Sequence, residues 1–495
     1  ALLAVAMVCA MAIPAFAYDT KEDLDTKHEY DAFQIFKGDV SDDNTKISHV
    51  EWGKNIPHPE DFLPKLRADS TLSSEFANAD SLQKVLDVMK DWKTSDDNSI
   101  AFARFVCNYI YTDANADSTP VKQGGHTGGF ELDEAGYYLI VDTSPFSDGD
   151  SYHAYNSFLL KVNKAHYHVQ ITPKVVKPTV EKKVYDNDDG SSSGDNNGWG
   201  SSADHAINEE FKFRLIATLP ESENNGRAYD YYKEYAVRFN DTLSDGITFD
   251  KLDKVEIANV DGSTPQVITD THYKLDEGGL PSSFKLSIDD VKTCARAANL
   301  DLNKGATITV TYTAHLNEKA YVNAAGGGTD NKNRVYLEYS NNPRISTSLD
   351  HTPESEVCVY TYQLNNTKHQ DSETGPVLQG AGFRLYSDKA CTQEVKLYQK
   401  DNFYFPIKDA TDKDKDAVQM ISGQDGQFNV KGLDAGTYYL RETKTPDDYS
   451  ACPDTEIVIS ATHDVNNVSL SGNLSNKIIN KKAGGITLPS TGGIG

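Results

Sequence analysis

The sequence predicts a mostly β protein made of tandem immunoglobulin-like β-sandwich domains, three in number, the first with an added helix. Three observations carry that expectation. The chain of 495 residues is too long for one hydrophobic core, and a chain of this length divides into about two to four domains. Its periodic runs alternate apolar and polar residues, are rich in Tyr, Thr and Val, and are separated by Gly and Asp turns, which is strand patterning. A single stretch, "SSEFANADSLQKVLDVMKDWK", instead places Phe76, Leu82, Val85, Leu86 and Met89 at helical spacing.

Each element follows in order. "HEYDAFQIFKGDV" reads as a strand, then comes the helix, then "GGFELDEAGYYLIVDT" and "YNSFLLKVN" as short strands, closing a first domain over residues 18–171. "ITPKVVKPTVEKKVYD" has prolines bracketing a basic patch, which suits an extended linker running into a first strand. "DNDDGSSSGDNNGWGSS" is polar; a calcium site is one reading of it, but its ligand order does not match an EF-hand, which favours a solvated loop. "KEYAVRFNDTLSDGITFD", "TITVTYTAHLN" and "RVYLEYSNNP" are the strands of a second domain over 172–354. Residues 355–482, from "EVCVYTYQLNN" through "DAGTYYLRETKTPDDYS" to "NKIINKK", have the size and pattern of a third sandwich. A Gly- and Pro-broken tail, 483–495, follows. "LDEAGYYLIVDT" echoes "LDAGTYYLRETK"; matching the "YYL" triplets sets Val141 opposite Glu442, so only one copy carries an acid there.

The formal charge of −26 argues against nucleic acid and anionic membrane surfaces as partners. The opening "ALLAVAMVCAMAIPAFAYD" ends in the small-x-small triplet Ala15-Phe16-Ala17. It reads as a signal peptide, residues 1–17, whose basic start is missing, with Tyr18 as the mature N-terminus. Cys107, Cys294 and Cys358 are scattered without CxxC spacing, and the histidines show no HExxH, so no metal or cofactor is expected and scattered surface histidines are the reading. Cys391 and Cys452 lie in one segment of an exported chain and are expected to form a disulfide. No GxSxG, HExxH or paired-carboxylate motif supports a hydrolase, so the chain is not expected to be an enzyme.

In "YYLRETKTPDDY", strand alternation sets Tyr438, Leu440 and Glu442 on one face, so Glu442 is buried if Leu440 is. A buried carboxylate is costly unless paired or neutralised. The alternative is a sheet-edge Glu capped by amides or by Arg441. By the same parity Val180, Lys182 and Val184 share a face, as do Asn333, Val335, Leu337 and Tyr339, and Val237, Phe239 and Asp241. A Lys, an Asn and an acid thus fall in register with core positions.

The stretch from Tyr438 to Tyr449 resembles the E-box, YxLxETxAPxGY, of sortase-assembled pilins of Gram-positive bacteria, departing at Thr445 and Asp448. "GPVLQGAGFRLY" resembles the opening of collagen-adhesin B-type domains, and the second domain resembles the A-type domain of the same shafts. The resemblance implies internal Lys–Asn isopeptide bonds promoted by an acid. Carried over by position, these are Lys368–Asn480 with Glu442, Asn476 being the runner-up acceptor, and Lys182–Asn333 with Asp241. Burial lowers a lysine pKa, making the amine nucleophilic, and raises a carboxyl pKa, making it a proton shuttle.

The tail "LPSTG", Leu488, Pro489, Ser490, Thr491 and Gly492, resembles the LPxTG sorting signal cut by a sortase between Thr491 and Gly492. The family pattern continues with an apolar segment and a basic tail, so the sequence is read as truncated. "VQITPK", residues 169–174, resembles the pilin motif V-x-V-Y-P-K, with Thr172 for Tyr, and makes Lys174 the linkage lysine and Lys177 the fallback. Taken together, the resemblance implies a major pilus shaft subunit on the cell wall. A class C sortase would polymerise it through Thr491 and Lys174, and a housekeeping sortase would attach it to peptidoglycan. The implied partners are copies of itself and tip and base pilins; the implied role is adhesion, to a ligand the sequence does not name. The competing reading is a monomeric LPXTG wall-anchored adhesin.

Overall fold

A computed structural model describes residues 28–41, 47–93, 96–126, 130–144, 154–155, 157–163, 166–169, 177–186, 198–222, 227–322, 331–407 and 416–484. The signal segment 1–17, Lys174, the loop 187–197 and the motif 488–492 lie outside the described residues.

Strands dominate, as the alternating runs lead one to expect, and they form three successive units. In the first, the strand Glu29–Val40 lies between Ile47–Trp52 and Gly136–Asp142, with Ser157–Val162 beyond and Lys122–His126 pairing off it. Both faces of Glu29–Val40 are covered. Tyr30 and Ala32 pack with Phe130, Leu132 and Val169 of a two-stranded ribbon, while Phe33 and Ile35 pack under helices. Those helices are Pro59–Ala68, Ser73–Phe76, Leu82–Met89 and Asp97–Thr112, where the apolar spacing pointed to one. Phe76 ends its own short helix and Leu82–Met89 starts anew after the Asn78-Ala79-Asp80 break. Asp97–Thr112 buries residues around most of its girth, from Ile100 through Phe102, Val106 and Ile110. A run that is apolar on several sides lacks the one-sided stripe that marks a surface helix.

The middle unit is a sandwich. One sheet runs Gln266–Val267, Ile247–Asn259, Ala306–Leu316, Glu210–Leu219, Thr179–Tyr185, Trp199–Gly200. The facing sheet runs Ser202–Asp204, Ser355–Tyr360, Lys332–Ser340, Val237–Leu243, Ser283–Ile288, Lys274–Asp276. Phe213, Leu215, Val310 and Tyr312 from the first meet Phe239, Phe284, Val335 and Leu337 from the second. The strand Ser355–Tyr360, which the sequence reading assigned to the third domain, is hydrogen-bonded within this second sheet. Covalently it runs straight into the third unit, with only Thr361 between it and Tyr362–Gln370.

The third unit packs two sheets around Tyr362, Leu364, Phe383, Phe428, Val430, Leu440 and Ile457. Its first strand, Tyr362–Gln370, and its last, Ser475–Lys482, are parallel neighbours, with Lys368 opposite Ile478 and Gln370 opposite Asn480. The strand Gly436–Lys444 belongs to the opposing sheet. Among the described residues no helix is long and apolar enough to cross a membrane.

Candidate functional site: two buried amine–carboxamide–acid clusters

In the third unit Lys368 and Asn480 come from the parallel first and last strands, and Glu442 reaches them from the sheet across the core. Leu440 is buried, and two positions on the Glu442 side chain is fully buried too, so the parity argument holds. The Lys368 Nζ donates to Asn480 Oδ1 at 2.5 Å, and Asn480 Nδ2 donates to Glu442 Oε1 at 2.8 Å. Lys368 Nζ stands 3.8 Å from the same Glu442 Oε1. The second carboxylate oxygen accepts the Cys452 amide at 2.9 Å, which fixes the acid's orientation. Phe383 closes one side, its ring centroid 5.2 Å from the amine. Burial lowers the Lys368 pKa below that of an ordinary lysine, with Cys452 and Glu442 opposing the shift. The cluster therefore holds an amine whose charged form burial disfavours, a carbonyl beside it, and the Glu442 carboxyl group within 3.8 Å of both nitrogens.

Asn476 is excluded from this cluster: its amide bonds the Asn473 carbonyl at 2.9 Å and faces Asn366. Arg441, on the opposite face of its strand, pairs with Asp454 and does not cap Glu442. The expected disulfide is corrected. Cys391 and Cys452 are both free thiols, because they serve different environments: the Cys391 Sγ faces Asp454 at 3.8 Å, while the Cys452 Sγ faces Lys368 Nζ at 3.5 Å. Burial pushes the Cys452 thiol up to about 11.

In the middle unit the cluster spans the sandwich. Lys182 and Tyr312 come from one sheet, Asp241 and Asn333 from the other, and all four are buried. Lys182 Nζ pairs with Asp241 Oδ2 and donates to the Tyr312 hydroxyl at 3.1 Å. That hydroxyl donates to Asp241 Oδ1 at 3.2 Å and accepts from Asn333 Nδ2 at 2.6 Å. Tyr312 thus joins the amine to the carboxamide, and sequence reading missed it. The signal was present: Ile308, Val310, Tyr312 and Ala314 share the buried face of one strand, and a buried tyrosine seeks a partner for its hydroxyl. Burial lowers the Lys182 pKa to about 8, opposed by Asp241, and raises the Asp241 pKa, opposed by Lys182. The carboxamide oxygen of Asn333 has no hydrogen-bond partner among the described residues.

The first unit holds a related arrangement in a register that the "YYL" match missed by one residue. Tyr138 donates its hydroxyl to the Glu134 carbonyl at 2.8 Å, and Tyr438 makes the same four-residue reach to Asp434 at 3.1 Å. Aligned on those tyrosines, Glu442 corresponds to Asp142, not Val141. Asp142 is buried, and its partner is His28 Nδ1 at 2.7 Å, with Ser144 on the other oxygen. The acid is present, but an imidazole stands where the third unit has a lysine amine. His28, like His205 and His463, is buried, which corrects the expectation that the histidines are scattered over the surface.

Residues 364–473 match the model of the SpaA prealbumin-like fold domain. No curated protein matches the chain in sequence. Among solved structures, the chain is similar to the 35 kDa C-terminal fragment of the major pilin GBS80 of Streptococcus agalactiae at 23% identity and TM-score 0.43, over 61% of this chain and 99% of that one. It is similar to the full-length major pilin SpaD of Corynebacterium diphtheriae at 21% identity and TM-score 0.44, over 75% and 86%. The T6 backbone pilin of Streptococcus pyogenes follows at 15% identity and TM-score 0.46, over 92% and 97%. The family match lies within the third unit and includes Lys368 and Glu442 but not Asn480.

Proposed function

We propose that the chain is the structural shaft subunit of a Gram-positive cell-surface pilus, stiffened by internal Lys–Asn isopeptide bonds. The observation that carries this reading is the meeting of Lys368 and Asn480 from the first and last strands of one sheet, with Glu442 hydrogen-bonded to the asparagine nitrogen and 3.8 Å from the lysine amine. The Lys368 Nζ lone pair attacks Asn480 Cγ, the C–N bond of the carboxamide breaks, and ammonia leaves. Glu442 takes the proton from the amine and returns it to the departing nitrogen. In the middle unit Asp241 plays the same part for Lys182 and Asn333, through the Tyr312 hydroxyl. A bond between first and last strands limits how far the chain extends under tension, which is what a fibre subunit requires.

Polymerisation is assigned to the segments at the two ends of this scheme. A class C sortase cleaves between Thr491 and Gly492 and passes the Thr491 acyl group to Lys174 of the next copy. A housekeeping sortase then joins the base of the fibre to peptidoglycan. Tip and base pilins and an adhesion ligand complete the set of partners.

The test is Lys174→Ala in the native host, with Lys177→Ala beside it. Wild-type extracts on denaturing gels give a high-molecular-weight ladder, and the Lys174 variant gives monomer. Ladders that persist in Lys174→Ala but vanish in Lys177→Ala move the linkage to Lys177. A wild type that never forms ladders leaves a monomeric wall-anchored adhesin and removes the shaft reading.

A further inference from the structure

Where the middle unit meets the third, buried imidazoles and carboxylates from both units converge, and neither amide-forming cluster uses them. His205 follows the strand Ser202–Asp204 of the middle unit, Glu209 lies four residues on, and Asp434 sits at the turn into Gly436–Lys444 of the third. One ligand-type atom from each lies within 4.8 Å of the other two. The surrounding joint is well tied: Ile207 donates its amide to the Gly432 carbonyl at 2.9 Å, and Asn208 donates to the Pro406 carbonyl at 2.8 Å.

The orientation of His205 is the informative part. Its Nε2 lies 2.7 Å from the Tyr185 carbonyl, so that nitrogen carries the proton. In the neutral ring the other nitrogen, Nδ1, then presents a lone pair. Nδ1 is buried, has no hydrogen-bond partner among the described residues, and faces Glu209 Oε1 at 3.8 Å. That separation is too long for a hydrogen bond. Two lone pairs aimed at each other across a buried gap repel unless a cation, either a proton on Nδ1 or a metal ion, lies between them. An imidazole held by one N–H on a backbone carbonyl, with its second nitrogen open toward carboxylates, is the arrangement a metal-ligating histidine has. Ligands about 2.1 Å from a tetrahedrally bound ion are separated by about 3.4 Å; here His205 Nδ1 and Glu209 Oε1 are 3.8 Å apart, and the pairs with Asp434 lie within 4.8 Å.

We propose that His205, Glu209 and Asp434 bind one divalent transition-metal cation of the zinc class, pinning the third unit to the middle one. One imidazole with two carboxylates suits zinc and its neighbours, whereas calcium prefers an all-oxygen set. Water takes the remaining position. Because Asp434 belongs to a different unit from His205 and Glu209, the ion links the two units and stiffens the joint.

The experiment titrates Zn2+ into the purified, chelator-treated full chain by calorimetry, with Ca2+ as the comparison and thermal unfolding as a second readout. The wild type shows a saturable site for Zn2+, no matching site for Ca2+, and a higher melting temperature with Zn2+. Each of Glu209→Gln, Asp434→Asn and His205→Gln weakens that site by roughly 10-fold or more. Glu209 is part-exposed, so Glu209→Gln decides the question if a more buried variant fails to fold. Absence of a saturable site in the wild type, or a site unchanged in Glu209→Gln, overturns the proposal. So does a site lost in His463→Gln and kept in the other three, which would place the ion in the neighbouring Asp186, Asp204 and His463 group. None of these readouts depends on fibre assembly or on amide formation.

Discussion

Lys368 and Asn480 stand on parallel neighbouring strands, two register positions apart, with the lysine amine 2.5 Å from the asparagine carbonyl oxygen. Lys368 is opposite Ile478, so reaching Asn480 takes a diagonal contact, which long side chains make readily. Glu442 completes the group from the facing sheet.

If that contact is a bond in the mature protein, Glu442→Ala leaves the recombinant chain heavier by one ammonia than a singly changed chain that reacts. Intact mass spectrometry reads this directly. The same variant unfolds more easily, by roughly 2–4 kcal/mol if closing the strand pair acts as a disulfide does. A wild-type mass equal to the plain sequence removes both crosslinks.

Tyr312→Phe keeps the aromatic packing of the middle unit but deletes the hydroxyl shared by Lys182, Asp241 and Asn333. The expected result is slower or incomplete loss of ammonia at that site alone. Stability falls by about 1–3 kcal/mol, because Asn333 and Asp241 each lose a buried partner. Complete reaction at the wild-type rate would show the hydroxyl to be packing only.

The pH dependence follows from Lys182, whose pKa falls from 10.5 to about 8 on folding. In an unreacted variant, Asn333→Ala, the unfolded chain holds a lysine proton between those values that the folded chain has released. Stability therefore rises with pH across about 8 to 10.5. In the wild type the amine is increasingly protonated below about 8, so amide formation after refolding slows there. Chemical denaturation of the variant at a series of pH values, and mass spectrometry during refolding of the wild type, measure the two effects.

Cys391 and Cys452 remain thiols, so denaturing alkylation without reductant modifies both. In the folded state Cys452, with its thiol pushed up to about 11, reacts slowly with iodoacetamide at neutral pH. A non-reducing peptide map containing a Cys391–Cys452 pair would reverse this finding.

Much of the chemistry was legible in one dimension because strands have a period of two. Once Leu440 is taken as core, Glu442 must point the same way, and the same parity carried Lys182, Asp241 and Asn333 inward. The helical first unit was less legible, since Asp97–Thr112 is apolar on too many sides to show a stripe. The echo between the first and third units was visible as well, but its register was not. Only the two tyrosine-to-carbonyl hydrogen bonds show that Asp142, and not Val141, matches Glu442.

The sequence by itself determined the modular β architecture, the faces on which the reactive side chains lie, and the motifs Leu488–Gly492 and Val169–Lys174 that suggest a covalent polymer. The tertiary structure alone decided which polar groups meet. It set Tyr312 between Lys182 and Asn333, put the Cys452 thiol beside Lys368 and the Cys391 thiol beside Asp454, placed Ser355–Tyr360 in the middle sheet, and gathered His205, Glu209 and Asp434 across a joint. The physical reason is that parity along a strand is a local property of the backbone. Contacts between sheets depend on how twisted layers pack, and residues more than a hundred positions apart in the chain have no local term that brings them together.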